Sequence, residues 1–542
     1  MNRLLSKTRE LIFASQTSML SSTLIIASMM LVARAFGFLR YRVLTGVFSA
    51  QELDIFFASF RIPDLLFEIL ITGALTTTFI PFFVKFRNDQ EKLSRHISSI
   101  INLVLIAIGF MIVVLYFALP FLAPFFMPGY DEGKIRQIVE ISRILLLGQL
   151  PFLVIGNFLT GIAQSQRAFV IPALAPVIYN VGIIAATLMF YETLHLMAPV
   201  VGVVGGAVGF LLVQLPVLRH TEFRYKAILC RTREAYEFFR MAIPRIMTSI
   251  VAQIDATIDL TLTTLVGAGA YTMFYFAQHL QLLPISLIGI AFGQASLPYL
   301  TDLYQQKRID EFRRVVFESL LNLMYLMIPV MTFMVVSRTP IIRLFYGGDM
   351  FDWNATVLTA KTLSYFALSL PFHAVYYFLT RCYYALFDSK TPFYISLVSI
   401  SVNAALSVYF ISVLELPVWS LAISFSIAMN INVTILFFLL VRKLKGFDWK
   451  PFFIELIKML TAAIIAASFS FFSQRLLDGL FFDTTRTINV FLLLATNGIL
   501  FVALYMSMTW LVGVKELYLL TRMVLKIKEY QRKIVEMYQG IQ

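Results

Sequence analysis

Cysteine and histidine are nearly missing from this chain of 542 residues, which has two of the first and five of the second. Two cysteines, Cys230 and Cys382, one in a polar connection and one in an apolar run, leave no disulfide framework to expect. The histidines (His96, His195, His220, His279, His373) show no ligand spacing, so no transition-metal site is expected either. Charge is scarce as well, at 14% of residues. No polar stretch is long enough to form a soluble catalytic domain, which argues against an enzyme.

What is present is apolar sequence. The chain is 59% hydrophobic with 52 phenylalanines and a mean hydropathy of +0.81, a composition that needs lipid as its solvent. A helix crosses a bilayer with about 20 apolar residues, and the chain supplies about fourteen such runs. They lie near 18–39, 53–86, 97–126, 137–165, 169–191, 197–218, 241–266, 271–302, 313–337, 356–387, 391–414, 417–441, 452–476 and 487–514. The expected fold is therefore an all-α polytopic membrane protein.

The net charge of +13 follows a topology. Basic residues crowd the connections after even-numbered runs, as in Lys85, Lys92 and Arg95, then Arg219, Arg224 and Lys226, then Arg442, Lys443 and Lys445. Connections after odd-numbered runs, such as SAQELD and LELP, are short and mixed. The positive-inside rule then puts both termini in the cytoplasm, and orientation together with anionic lipid accounts for the excess without a nucleic-acid partner. Residues 1–17 read as a basic amphipathic helix on the cytoplasmic surface, not as a cleavable signal.

An internal echo divides the chain. Arg167, Pro172 and Asn180 are followed, at an offset of about 220, by Lys390, Pro392 and Asn403; Phe57, Ala58 and Pro81 have counterparts in Phe276, Ala277 and Pro298. The expected organisation is an N-lobe of six helices over 18–218, a basic linker over 219–240 and a C-lobe of six over 241–441. Two further helices over 442–514 and a basic amphipathic tail over 515–542 complete it. Two pseudo-symmetric lobes facing across an axis form a transporter architecture.

Charges inside apolar runs are the functional candidates, because a cation at mid-membrane costs about 3 kcal/mol on insertion scales. Arg34 and Arg40 stand in one run with Gly37 between them, and Arg61 follows, next to Pro63. Guanidinium forks suit phosphate oxygens, and converging forks suit a diphosphate; the alternative is that Arg40 and Arg61 snorkel to headgroups. Asp54 is a candidate tether for one arginine. Asp255 and Asp259, one turn apart, and Asn403 and Ser407, also one turn apart, are candidates for a Na⁺ or proton site, or for hydrogen bonds within the helix bundle. His279 is either a titratable cavity group or an interhelical donor. Glu68, Asp302 and Arg381 fall near run ends and carry no specific message.

The runs ARAFGFLR (33–40), LDIFFASFRIPDLL (53–66) and GALTTTFIPFF (73–83), followed by PGY (128–130), ALAPVIYN (173–180) and FDSKTP (387–392), resemble the MurJ/MviN lipid II flippases. These belong to the multidrug/oligosaccharidyl-lipid/polysaccharide exporter superfamily. The resemblance implies fourteen helices, a cationic cavity for the diphosphate of an undecaprenyl-linked peptidoglycan precursor, and a lipid-tail groove formed by the last two helices. It places Arg34, Arg40 and Asp54 on motif positions and Arg61 on a commonly basic one. Asp259 and Asn403 look similar to the family's Na⁺ site. The chain departs from the pattern where Phe67, Glu68 and Thr72 replace an arginine pair and an acidic residue, and where His279 replaces an arginine.

The expected function is a lipid II flippase of the bacterial inner membrane that works by alternating access. Arg34, Arg40, Arg61 and His279 would bind the diphosphate, Asp54 and Gly37 would position them, and Na⁺ or H⁺ at Asp259 would offer coupling. No cofactor is expected. Partners would be the lipid-linked glycan, membrane lipids and cell-wall synthesis machinery, with the chain a monomer. Rival readings are a flippase for another lipid-linked glycan such as an O-antigen, a membrane glycosyltransferase or ligase, and a non-transporting cell-wall scaffold.

Overall fold

A computed structural model describes residues 19–69, 79, 83–86, 89–166, 168–221, 223–229 and 233–518. Eighteen α-helices and no strand form among them, as lipid requires of a chain whose backbone groups must be satisfied within each segment. Ten of the described spans are long and apolar enough to cross a bilayer, so this is a multi-pass membrane protein. The expected amphipathic N-terminus, most of the tail, Arg167, Cys230 and Thr72 lie outside the described residues.

The first helices are α1 (Met19–Val47), α2 (Ala50–Phe67), α3 (Gln90–Phe126), α4 (Glu132–Gly148), α5 (Leu150–Ser165), α6 (Val170–Leu194) and α7 (Met197–Leu212). They are followed by α8 (Arg233–Val266), α9 (Ala270–Pro284), α10 (Ala291–Gln305), α11 (Ile309–Val336) and α12 (Arg338–Tyr346). The remainder are α13 (Trp353–Ala367), α14 (Leu370–Ala385), α15 (Lys390–Val408), α16 (Trp419–Leu444), α17 (Trp449–Leu480) and α18 (Thr487–Leu511).

Proline explains where apolar runs split. The run expected over 137–165 breaks at Gln149, ahead of Pro151, and the one over 356–387 breaks before Pro371. A proline cannot donate to the preceding turn, and it is tolerated where a new helix begins. The run over 271–302 carries Pro284 and relaxes into a π turn over Ile285–Ile290 before α10 resumes. Helices open at Ala50, Gln90, Leu150 and Val170, and again at Ala270, Ile309, Leu370 and Lys390. The order of helices therefore repeats at about 220 residues.

The chain divides into two compact units, Met1–Thr272 with Phe345–Ala355, and Met273–Leu344 with Thr356–Gln542. Helix α8 lies within the first of these units. In that unit α6 and α7 pack backbone to backbone: a Cβ on Gly206 would lie 2.6 Å from the Tyr179 carbonyl oxygen, the close approach that small residues allow between membrane helices. Helix α1 lies against α6, and α2 against α4, where Ser142 donates to the Ser59 carbonyl at 2.8 Å. In the second unit α11 packs on α14 and α17, α15 on α16, and α17 on α18.

Candidate functional site

The site begins at the turn between α1 and α2. Helix α1 continues to Val47, past the end at 39 that hydropathy suggests, so Arg40 sits within a helix and not at its end. The helix stops because Ser49 caps the next one. The Ser49 hydroxyl accepts from the Glu52 amide, and the Glu52 carboxylate accepts from the Ser49 amide at 2.9 Å. That reciprocal capping box is what the SAQELD connection encodes. The loop after α12 braces the same turn, with the Met350 amide donating to the Thr45 carbonyl at 3.2 Å.

Asp54 is 1% exposed and spends both carboxylate oxygens on main-chain donors, the amides of Gly269 at 2.6 Å and Thr272 at 2.8 Å. These amides belong to the start of α9, where a helix leaves donors unmet and favours negative charge. The expected tether to an arginine is therefore a tether to a helix start. The PGY turn serves the same junction. Gly129 donates to the Thr264 hydroxyl at 3.2 Å, and a Cβ there would lie 2.0 Å from the Thr264 carbonyl oxygen, so only glycine fits.

Arg61 crosses from α2 to α8, where it donates to the Gln253 carbonyl at 3.2 Å and to the Thr257 hydroxyl. Gln253 and Thr257 are one turn apart, and each is two residues from Asp255, about 200° around the helix. Arg61 thus grips the face of α8 opposite the aspartates. Arg40 places its guanidinium over the Tyr41 ring, 4.6 Å from the centroid. Its charge also reaches Asp64 and the hydroxyls of Tyr179 and Tyr346. Gly37 has open space where a Cβ would stand, so no neighbouring atom requires glycine there.

Two acidic residues join this cluster: Asp64, and Glu68, to which its place near a run end gave no specific role. Asp64 interacts electrostatically with Glu68, Arg61 and Arg40, and Glu68 with Arg61. Arg61, Asp64 and Glu68 are spaced i, i+3 and i+7, which puts them on one face of α2; that spacing is the signal that was available. The formal charge of Arg40, Arg61, Asp64 and Glu68 is balanced, so Arg34, half-buried in α1, carries the cationic surplus of these five side chains.

In the second unit, His279 lies against Tyr275 with ring centroids 4.4 Å apart. Asn403 and Ser407 are buried on α15, where Ser407 donates to the Asn403 carbonyl oxygen at 3.4 Å and shares a 2.6 Å hydrogen bond with Ser424 of α16. In the first unit, Asp259 is buried and Asp255 half-buried on α8.

The family described as lipid II flippase MurJ matches residues 43–492. The chain belongs to the MurJ family. The lipid II flippase MurJ of Burkholderia cenocepacia is 25% identical over 531 residues, covering 94% of this chain and 98% of that protein. The probable lipid II flippase MurJ of Borreliella burgdorferi is 25% identical over 450 residues, covering 82% and 87%. In fold, the chain resembles a lipid II flippase MurJ in an inward closed conformation, with a TM-score of 0.73 at 21% identity over 90% of this chain and 99% of that one. It also resembles an inward-facing multidrug resistance MATE transporter of the MOP superfamily, with a TM-score of 0.65 at 13% identity over 78% and 98%. The MurJ family is one of transporters, not enzymes, and its cargo is lipid-linked.

Proposed function

We propose that this protein moves lipid II, the undecaprenyl-diphosphate-linked peptidoglycan precursor, from the inner to the outer leaflet of the bacterial cytoplasmic membrane by alternating access. Membership of the MurJ family carries the reading, and the arginines give it a physical basis. Arg34 and Arg40 supply guanidinium forks for the diphosphate oxygens. Arg61 adds positive charge while tying α2 to α8, so that phosphate binding and the position of α8 act on one side chain. His279 contributes in its protonated form. Asp255, Asp259, Asn403 and Ser407 are the candidate groups for Na⁺ or proton coupling. The protein works as a monomer beside the cell-wall synthesis machinery.

The test is complementation. In cells depleted of their own lipid II flippase, expression of this chain restores outward exposure of lipid II, and the Arg34→Ala form, expressed to the same level, does not. A well-expressed wild type that restores nothing contradicts the lipid II assignment; equal rescue by the variant contradicts the role of Arg34.

A further inference from the structure

The segment 223–229, which precedes α8, is laid along the start of α3 by a ladder of side chains spaced four apart. Ser94 accepts from the Arg224 amide at 3.1 Å, and Ser98 accepts from the Lys226 amide at 2.9 Å. Asn102 donates to the carbonyls of Lys226 at 3.1 Å and Ile228 at 2.9 Å, and accepts from the Tyr225 hydroxyl at 2.6 Å. The match is geometric. Four residues of helix rise about 6.0 Å and two residues of extended chain about 6.7 Å, so alternate backbone groups of a strand meet every fourth side chain of a helix. Ser94 and Ser98 are buried under the strap, which accounts for a hydroxyl stripe on an otherwise apolar helix.

The hold is uneven along the strap. Phe223 is 4% exposed and packs on the buried ring of Phe83, with centroids 6.2 Å apart. Beyond it, Arg224, Tyr225, Lys226, Ala227 and Leu229 are exposed, and hydrogen bonds do the holding. Helix α3 has 37 residues, about 55 Å against a hydrocarbon core of about 30 Å. Its first turns, which carry the exposed Lys92 and Arg95, therefore reach water. Hydrogen bonds exposed to water with few apolar contacts mark the low-stability end of a fold, and the next helix, α8, is the one Arg61 grips.

We propose that residues 224–229 form a releasable strap, pivoting at Phe223, that fixes the start of α8 against α3 and must detach from the Ser94–Ser98–Asn102 ladder during each transport cycle. Two measurements test it on the full chain. In hydrogen exchange, the amides of Arg224 and Lys226 are protected in the wild type and exchange about tenfold faster when Ser94, Ser98 and Asn102 are all replaced by alanine, while the middle of α3 stays protected. Unchanged exchange at those two amides overturns the ladder. In a Cys230→Ser background, Ser98→Cys and Lys226→Cys are bridged by a short bis-methanethiosulfonate, each thiolate forming a disulfide and releasing methanesulfinate. Lipid II exposure falls at least tenfold on bridging and returns on reduction, and controls that carry only one of the two introduced cysteines keep their rate. Full transport by the bridged protein overturns the release. The transport measurement presupposes the flippase reading, tested by the unbridged chain; the exchange measurement does not.

Discussion

Polar groups buried in the membrane helices differ between the two units. Around α1, α2 and α8 they include charges, with Asp54 and Asp259 each at 1% exposure and Arg40 and Arg61 half-buried. Around α15 to α18 the fully buried ones are hydroxyls and amides: Ser399 donates to the Ala428 carbonyl, Ser407 bonds Ser424, and Asn497 joins Ser470 and Ser473 of α17, while the half-buried charges of α17, Glu455 and Lys458, pair with each other at 3.0 Å. A neutral hydrogen bond between membrane helices is worth about 0.6 kcal/mol on average, whereas a charge at mid-membrane costs about 3 kcal/mol on insertion scales. Adhesion between helices needs only the first kind. Charges kept despite their cost point to a ligand, and Asp54 is the exception that proves structural, because its carboxylate completes the start of α9.

Substitutions sharpen this contrast. Arg40→Ala has the largest expected effect: lipid II exposure in flippase-depleted cells falls at least tenfold, about 1.4 kcal/mol or more, while expression and melting temperature stay near wild type. A fall in melting temperature that tracks the loss of transport would make Arg40 structural. Asp54→Asn acts on folding instead. It leaves a main-chain donor of Gly269 or Thr272 without its charged acceptor and costs about 1–3 kcal/mol, read as a lower melting temperature in detergent.

Ser407→Ala is smaller, about 0.6 kcal/mol in the same assay, and a loss as large as that from Asp54→Asn would erase the distinction between the units. The smallest effect lies outside the bilayer. Partial burial alone would raise the Asp388 pKa, but hydrogen bonds from Lys443 and from the Thr391 amide and hydroxyl outweigh it and bring it down to about 2. Its ordinary value is 3.8, so the contribution is complete above that and is lost as pH falls toward 2. Solvent screening of this partly exposed pair keeps it to about 0.2–0.5 kcal/mol. Asp388→Asn removes the pH dependence in that window, and an unchanged acid unfolding profile would contradict the assignment.

Much of the fold was legible because its causes are local. Hydropathy runs gave the helices, and the offset of about 220 between Pro172 and Pro392 reappears in the breaks at Pro151 and Pro371. The placement of α8 was not legible, since it depends on Arg61 meeting Gln253 and Thr257 nearly two hundred residues away. The site was half legible. Arg34 and Arg40 declare themselves by their cost in lipid, but the same rule misread Asp54, whose partners are backbone amides with no signature in sequence. The spacing of Asp64 and Glu68 after Arg61 puts them on its face of the helix, but a carboxylate near a run end has no specific meaning until its partners are placed. The strap on α3 was hidden because its ladder pairs side chains with main chain.

In the proposed mechanism the guanidiniums of α1 and α2 bind the diphosphate against an internal acidic counterweight. Titration of lipid II into the purified protein, read by native mass spectrometry, measures that balance. Binding is expected to be at least tenfold weaker for Arg40→Ala and severalfold tighter for Glu68→Gln. Unchanged affinity in both variants would contradict it.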